Sequence, residues 1–425
     1  MTECGIEGNI KKIIDSRTIW LLFGLCWAVY FISYIGRMNY SAAMPDIISS
    51  GWLTITQAGS LSTVFFICYA GGQFINGFLG DRIKPENLVF AGLSLSAVAN
   101  MLIPFAPGYA FALLFWAING YVLSMLWPPI IRIFADMLDE RTMVKCGIHI
   151  TSSMAAGSLC AYLLASVMIR LLGWRAMFFA ASVLLFITSI VWRLVFARIK
   201  KRREKYGVTY TLAASEPEKD SKPASSQSGF IRYLLGSGIF VLLLPVAIHG
   251  AIKDGVTAWI PTMLAQTFTV PAYTAVLAVS ILPIFNLSGA YMAGFVLKRW
   301  IKNEILCAAF FFLTALMGIA GIILAGSINI LLTVVFFSVI TASILAVNVL
   351  MINLVPLRFH LMGRTATVSG MFNAAAYVGS ATAAAGIGWI VSGFGWNVVM
   401  PCFAVLVIAA GIICVVGGRV KLPKI

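Results

Sequence analysis

Charge is scarce in this chain. Of its 425 residues only 11% are Asp, Glu, Lys or Arg, against about 25% in a soluble domain, which excludes an ordinary water-soluble fold. Acidic residues are scarcer still, 15 against 30 Lys and Arg. Within the apolar runs Asp46 falls at a helix end and Asp254 is the one central carboxylate candidate. Cysteine is present eight times, mostly inside apolar runs, without CxxC or paired spacing. That pattern argues against disulfides and metal ligation and reads as soft packing. No phosphate-binding glycine loop, metal-ligand cluster or nucleophile–base pair is legible, so neither catalytic residues nor a metal or cofactor is expected. The N-terminus lacks a short apolar region ending in a small-residue cleavage site, so the first span is expected to be retained.

Hydrophobic side chains fill the space left by charge. They make up 60% of the chain, and the mean hydropathy is +0.95. Apolar runs fall at about 19–46, 56–79, 88–106, 109–134, 143–171, 175–197, 236–265, 274–297, 304–325, 328–354, 365–392 and 395–417. Each is long enough to cross a bilayer, so the spacing predicts an all-α membrane protein of twelve transmembrane helices. The connection 198–230 opens with a basic run and continues through Ser, Glu, Lys and Pro, with too little apolar content to fold alone. It divides the chain into a first six-helix bundle (1–197), a linker (198–230) and a second six-helix bundle (231–425).

The net charge of +15 is topological. Arg37 and Lys253 apart, nearly all Lys and Arg fall in alternate connections, and the intervening ones carry only Arg170 and Arg175. This places both termini and the linker in the cytoplasm of a multi-pass cell-membrane protein, with lipid and not nucleic acid around it.

The two halves repeat each other. Arg37 and Lys253 lie 216 residues apart, each followed eight residues later by proline (Pro45, Pro261). Gly77–Arg82 recurs as Gly294–Arg299, Arg141–Thr142 as Arg364–Thr365, and Gly173–Trp174 as Gly395–Trp396. Four coincidences in one order indicate duplication. Parallel repeats of this kind place a site at mid-membrane between two bundles that rock. Small residues at Gly147, Ala155, Ala156 and Gly157, and at Gly370, Ala374–Ala376 and Gly379, are expected to let helices approach closely.

Arg37 and Lys253 are lone cations deep in apolar runs. A charge there costs at least about 2.5–3.5 kcal/mol on insertion scales, so two of them at matching places suggest a central anion site. Tyr30, Tyr34 and Arg37 are spaced i, i+4 and i+7 and share one helical face, a strip of donors suited to phosphate or carboxylate oxygens. Two plainer readings stand beside this one. Arg37 snorkels to an interface and the tyrosines form an aromatic belt. Lys253 pairs with Asp254, although adjacent helical residues point roughly 100° apart.

The sequence Gly77-Phe-Leu-Gly-Asp81-Arg82 at the end of the second helix resembles the loop motif of the major facilitator superfamily. Asp81 is placed to latch one conformation; the second copy has Lys298 at that position. Within the superfamily, Tyr30, Tyr34, Arg37, Asn39 and Ala43-Met44-Pro45 are similar to the first helix of the organophosphate:phosphate antiporters, the glycerol-3-phosphate and hexose-phosphate exchangers. Lys253, Gly255, Trp259 and Pro261 match their seventh helix, and Tyr69 their second. The resemblance covers essentially the whole chain. It implies a monomeric exchanger of a small organic anion, with Arg37, Lys253, Tyr30, Tyr34, Tyr69 and Gln73 around the substrate, and Gly77, Asp81 and Arg82 in gating.

The departures matter. Gln73 stands where the family has lysine, Lys253 where it has arginine, and Ser152 where it has histidine. Lysine cannot form the bidentate fork, so a monoanion or carboxylate is expected to suit the site. His149, one turn before Ser152, is a further cavity candidate. The scarcity of central carboxylates favours exchange or downhill passage over proton symport. A carboxylate or uronate symporter, a multidrug exporter and a non-transporting ligand sensor of the same fold are the alternatives.

Overall fold

The computed structural model describes residues 9–13, 15–150, 152–206, 208–211, 238–326, 328–359 and 365–418. Among the described residues eleven helical spans are long and apolar enough to cross a membrane. They are α1 (Ser16–Ser49), α3 (Pro85–Phe105), α4 (Tyr109–Phe134), α5 (Lys145–Leu172), α6 (Trp174–Lys205), α7 (Ile239–Thr267), α8 (Ala272–Arg299), α9 (Glu304–Ala325), α10 (Ile330–Leu354), α11 (Val368–Phe394) and α12 (Trp396–Gly417). With α2 (Ile55–Arg82) they complete the twelve-helix, two-bundle architecture expected from the apolar runs. The helical state follows from the solvent: in lipid every backbone N–H and C=O needs an internal partner, and a helix supplies it within one segment.

Two features were not legible in the apolar runs. The sixth helix does not stop near residue 197 but continues through the basic run to Tyr206. Beyond it Val208–Thr211 pairs antiparallel with Asn9–Lys12, a two-stranded sheet that ties the N-terminal segment to the start of the linker. Residues 212–237, most of the predicted linker, lie outside the described residues. The same holds for Arg364 and for the side chains of Gly77, Asp81 and Arg82.

The repeat extends to ion pairs. Glu86, in the first turn of α3, pairs with Lys200 of α6 at 2.8 Å; Glu304, in the first turn of α9, pairs with Arg358 at 2.7 Å. Both carboxylates also sit at helix N-termini, where the macrodipole favours them.

A buried polar network fixes the first bundle around Arg37. The Asn39 amide donates to the Asn100 carbonyl oxygen at 2.6 Å, and Asn100 and Ser96 both donate to Asn119. Asn119 donates in turn to the Gly36 carbonyl at 3.1 Å. Asn39, matched on the first helix to a family motif, therefore turns toward α3 and holds α1 in place.

Across the bundles, polar contacts gather at the membrane end away from the chain termini. Ser41 of α1 donates to the Ala258 carbonyl of α7 at 2.7 Å, and Thr63 of α2 to Ala381 of α11 at 3.0 Å. Ser166 of α5 donates to the Tyr273 carbonyl at the start of α8 at 2.9 Å, and the Arg170 guanidinium lies 5.5 Å from the Tyr273 ring centre. Helix approach depends on small residues. A Cβ on Gly157 would meet the Phe31 carbonyl of α1, and one on Gly379 would meet the Ala247 carbonyl of α7. Gly147 and Gly370 face open space instead.

Candidate functional site

An interruption of regular helix shapes the centre of the molecule. In α7, residues Ala251–Val256 form a π-helical turn just before Pro261. The Thr257 hydroxyl bonds the Ile252 carbonyl at 3.2 Å, supporting the widened turn. Such turns are rare and concentrate at functional sites. The widening also reduces the angle between successive side chains, so Lys253 and Asp254 converge: Lys253 Nζ lies 3.0 Å from Asp254 Oδ2. The adjacent pairing that an ideal α-helix disfavours is thus made.

Asp254 meets a second cation from the other bundle. Its Oδ1 lies 3.5 Å from a terminal guanidinium nitrogen of Arg37, whose side chain is 6% exposed. One carboxylate therefore bridges the two lone cations, one oxygen to each. Arg37 does not snorkel. Its guanidinium is boxed by aromatic rings, with centroids at 4.8 Å (Tyr69), 5.6 Å (Tyr34) and 5.8 Å (Phe65). Cation–π attraction of this kind gives roughly 0.5–2 kcal/mol per desolvated contact but satisfies no N–H. Arg37 Nε is buried without a hydrogen-bond partner among the described residues. A buried unpaired donor costs about 1–3 kcal/mol or more when charged, so its persistence points to a ligand that satisfies it.

The remaining sequence-predicted residues divide into two groups. Tyr30 is buried against Tyr34 and Trp127, with centroids at 5.5 and 4.7 Å. Tyr69 packs against Phe65 and Tyr377, and Gln73 is half-buried one turn beyond it. Ser152 and His149 are exposed and apart from the charge cluster: the Ser152 hydroxyl accepts from Trp27 Nε1 at 3.0 Å and donates to the His149 carbonyl at 2.7 Å.

Two residues were missed. Tyr377 of α11 closes the aromatic box from the second bundle, 5.4 Å from Tyr69. Its signal was a lone large polar ring in a helix of Gly and Ala. His249 is 1% exposed, and among the described residues neither ring nitrogen makes a hydrogen bond of normal geometry. It lies one turn before Lys253, within electrostatic reach of Lys253 and Asp254; that i, i+4 spacing was its signal. Beside the cluster a cavity of about 50 Å3 is bounded by Arg37, Tyr40, Phe65, Lys253, Asp254 and Thr257. This is room for a few waters.

The Major Facilitator Superfamily profile matches residues 26–384. The chain belongs to this superfamily. It is 26% identical over 279 residues to the membrane sensor protein UhpC of Salmonella typhimurium, covering 63% of this chain and 62% of that protein. The chain thus matches less than two thirds of the sensor's length. It is 25% identical over 403 residues to the glycerol-3-phosphate transporter of Bacillus subtilis, covering 86% of each. Among solved structures, a bacterial homolog of the human lysosomal transporter Spinster, inward-facing and occupied, superposes with a TM-score of 0.79 at 13% identity. That superposition covers 96% of this chain and 98% of the other and shows the fold alone. The relatives fall in the organophosphate:phosphate antiporter branch that the motifs of the first and seventh helices resemble.

Proposed function

We propose that this major facilitator protein is a secondary carrier of a small organic anion, moving it through the cell membrane by alternating access. The observation that carries the reading is Arg37: a guanidinium buried at the bundle interface, its Nε unpartnered among the described residues, facing Lys253 across one carboxylate. Arg37 supplies paired donors for two oxygens of the anion and Lys253 a point charge for a third. Tyr34, Tyr69 and Tyr377 line the guanidinium, and Tyr30 extends the strip along α1. With the Asp254 carboxylate already present, the net charge of the centre is lower than two cations alone give, and Lys253 offers a point charge in place of a second fork. A monoanion, a carboxylate or sulfonate, suits it better than a doubly charged phosphate ester.

The positive-inside pattern puts both termini in the cytoplasm, so the contacts at the far end seal the outer face. The protein acts as a monomer with substrate and lipid as its partners. Proteoliposome counterflow tests the reading. Preloaded unlabelled anion should accelerate uptake of the labelled anion, and Arg37→Gln should abolish it. Binding without any accumulation would favour the second reading, a ligand sensor, which the similarity to UhpC supports.

A further inference from the structure

Asp254 has no role in a site built only to hold an anion, yet it occupies the centre of that site. Its two oxygens take one cation each, Oδ1 with Arg37 at 3.5 Å and Oδ2 with Lys253 at 3.0 Å. A transported carboxylate or sulfonate would use its own oxygens in the same way. The cavity beside the bridge, about 50 Å3, is bounded by the same Arg37, Lys253 and Asp254. An anion entering it finds each cation already holding an aspartate oxygen, so the two anions compete for the same two cations.

We infer that Asp254 is an internal counter-anion that the substrate displaces, and that it leaves the cations as the protonated acid, so that one proton enters with each anion. The inference rests on the anion-carrier reading above and specifies its coupling. A carboxylate stripped of both cations in a buried site binds a proton, because desolvation disfavours the charged form. The proton comes from the bulk buffer, relayed by water that enters with the substrate and is left unchanged, and forms an O–H bond on Asp254. The substrate anion takes over the charge balance with Arg37 and Lys253.

The groups that face Asp254 are Arg37 and Tyr34 on α1, Lys253 and His249 on α7, and Tyr377 on α11, with Tyr69 on α2 one layer out against Arg37 and Tyr377. His249 is the independent sign. Its imidazole is 1% exposed and both ring nitrogens are unpartnered among the described residues, so in its uncharged form one of them accepts the Asp254 acid O–H once the carboxyl swings off the cations. The π-turn that begins two residues after His249 supplies the slack for that swing.

The test counts protons. Calorimetric titration of the purified full chain in nanodiscs uses ethanesulfonate, which does not titrate between pH 5.5 and 8, and glycerol-3-phosphate as probes. Buffers of different ionisation enthalpy report protons taken up per anion bound. Wild type should take up about one proton per ethanesulfonate and bind about tenfold more tightly per unit fall in pH. Asp254→Asn should take up none, bind more tightly at pH 8 and lose the pH dependence. Binding of ethanesulfonate by wild type with no proton uptake overturns the inference and leaves the carrier reading intact. Proton uptake that persists in Asp254→Asn, or that vanishes in His249→Gln alone, also overturns it by placing the proton elsewhere. If neither probe binds wild type or the variant at any of these pH values, the carrier reading itself fails and the inference falls with it. Should Asp254→Asn not fold, the wild-type proton count decides alone.

Discussion

At the scale of the residue, the centre of the protein is a contest among charges that lipid would not tolerate singly. Arg37 survives there because aromatic rings and one carboxylate replace part of its hydration, while its Nε has no partner among the described residues. Its neutralisation should therefore be felt in binding before stability. Arg37→Gln is expected to abolish anion binding, and Arg37→Lys to leave a remnant weaker by roughly 1.5–3 kcal/mol, the value of a charged hydrogen bond lost with the fork. Calorimetry on both purified variants checks this; wild-type-like affinity in a folded glutamine variant would sink the central-site reading. The Asn100 amide belongs to a different class, since it touches no ligand face. Asn100→Ala leaves the buried Asn39 amide without its acceptor, while Asn119 keeps its bond from Ser96, which should cost roughly 1–3 kcal/mol of stability. A lowered melting temperature with little change in anion affinity is the expected result.

At the scale of the element, the seventh helix does work that regular geometry forbids. Its π-turn brings Lys253 and Asp254 together, and the Thr257 hydroxyl helps hold that turn. Thr257→Val keeps the shape and removes the bond. It should loosen the Lys253–Asp254 pair and weaken the discrimination between anions more than it lowers stability, as a substrate panel by thermal shift would show. The eleventh helix reaches the seventh because Gly379 has no side chain against the Ala247 carbonyl, and Gly250 none against the Ala376 carbonyl. Gly379→Val must push the helices apart, at a cost of roughly 1–3 kcal/mol from overpacking. Poor yield of monodisperse protein is the readout; normal melting would show that the contact gives way easily.

At the scale of the whole molecule, the two bundles are joined at the centre by Arg37–Asp254 and at one end by Ser41, Thr63 and Ser166. Removing the three hydroxyls together (Ser41→Ala, Thr63→Val, Ser166→Ala) should weaken that end and shift the population toward the conformation open there. The shift is limited to what these bonds contribute differentially between states. Cysteine accessibility at Ser62, lining the cavity on the sealed side, is expected to rise in the triple variant. Unchanged labelling would mean that apolar packing alone makes the seal. Shortening 212–229, by contrast, should leave anion affinity unchanged, because a charged linker of this composition carries no apolar surface to bury. A large affinity loss with normal insertion would reveal a binding role.

The sequence by itself determined the element type and number, because a bilayer leaves a twenty-residue apolar run no other outcome. It also determined the repeat and the pair of central cations, because charge at that depth is too costly to be incidental. Chain spacing could not say where Asp254 points. An ideal helix separates it from Lys253, and only the π-turn, a product of packing around Gly250, Gly255 and Pro261, brings the two side chains together. Nor could spacing tell His149 from His249. Each is one polar residue on an apolar helix, and burial of the second and exposure of the first follow from which neighbours cover them. Tyr377 lies more than 300 residues from Tyr69 in the chain and joins the same ring cluster only when the bundles meet. What the tertiary structure decided, then, is the polar connectivity of the site. Hydrogen bonds and ion pairs depend on angstrom-scale direction, while membrane insertion depends only on composition summed along a run.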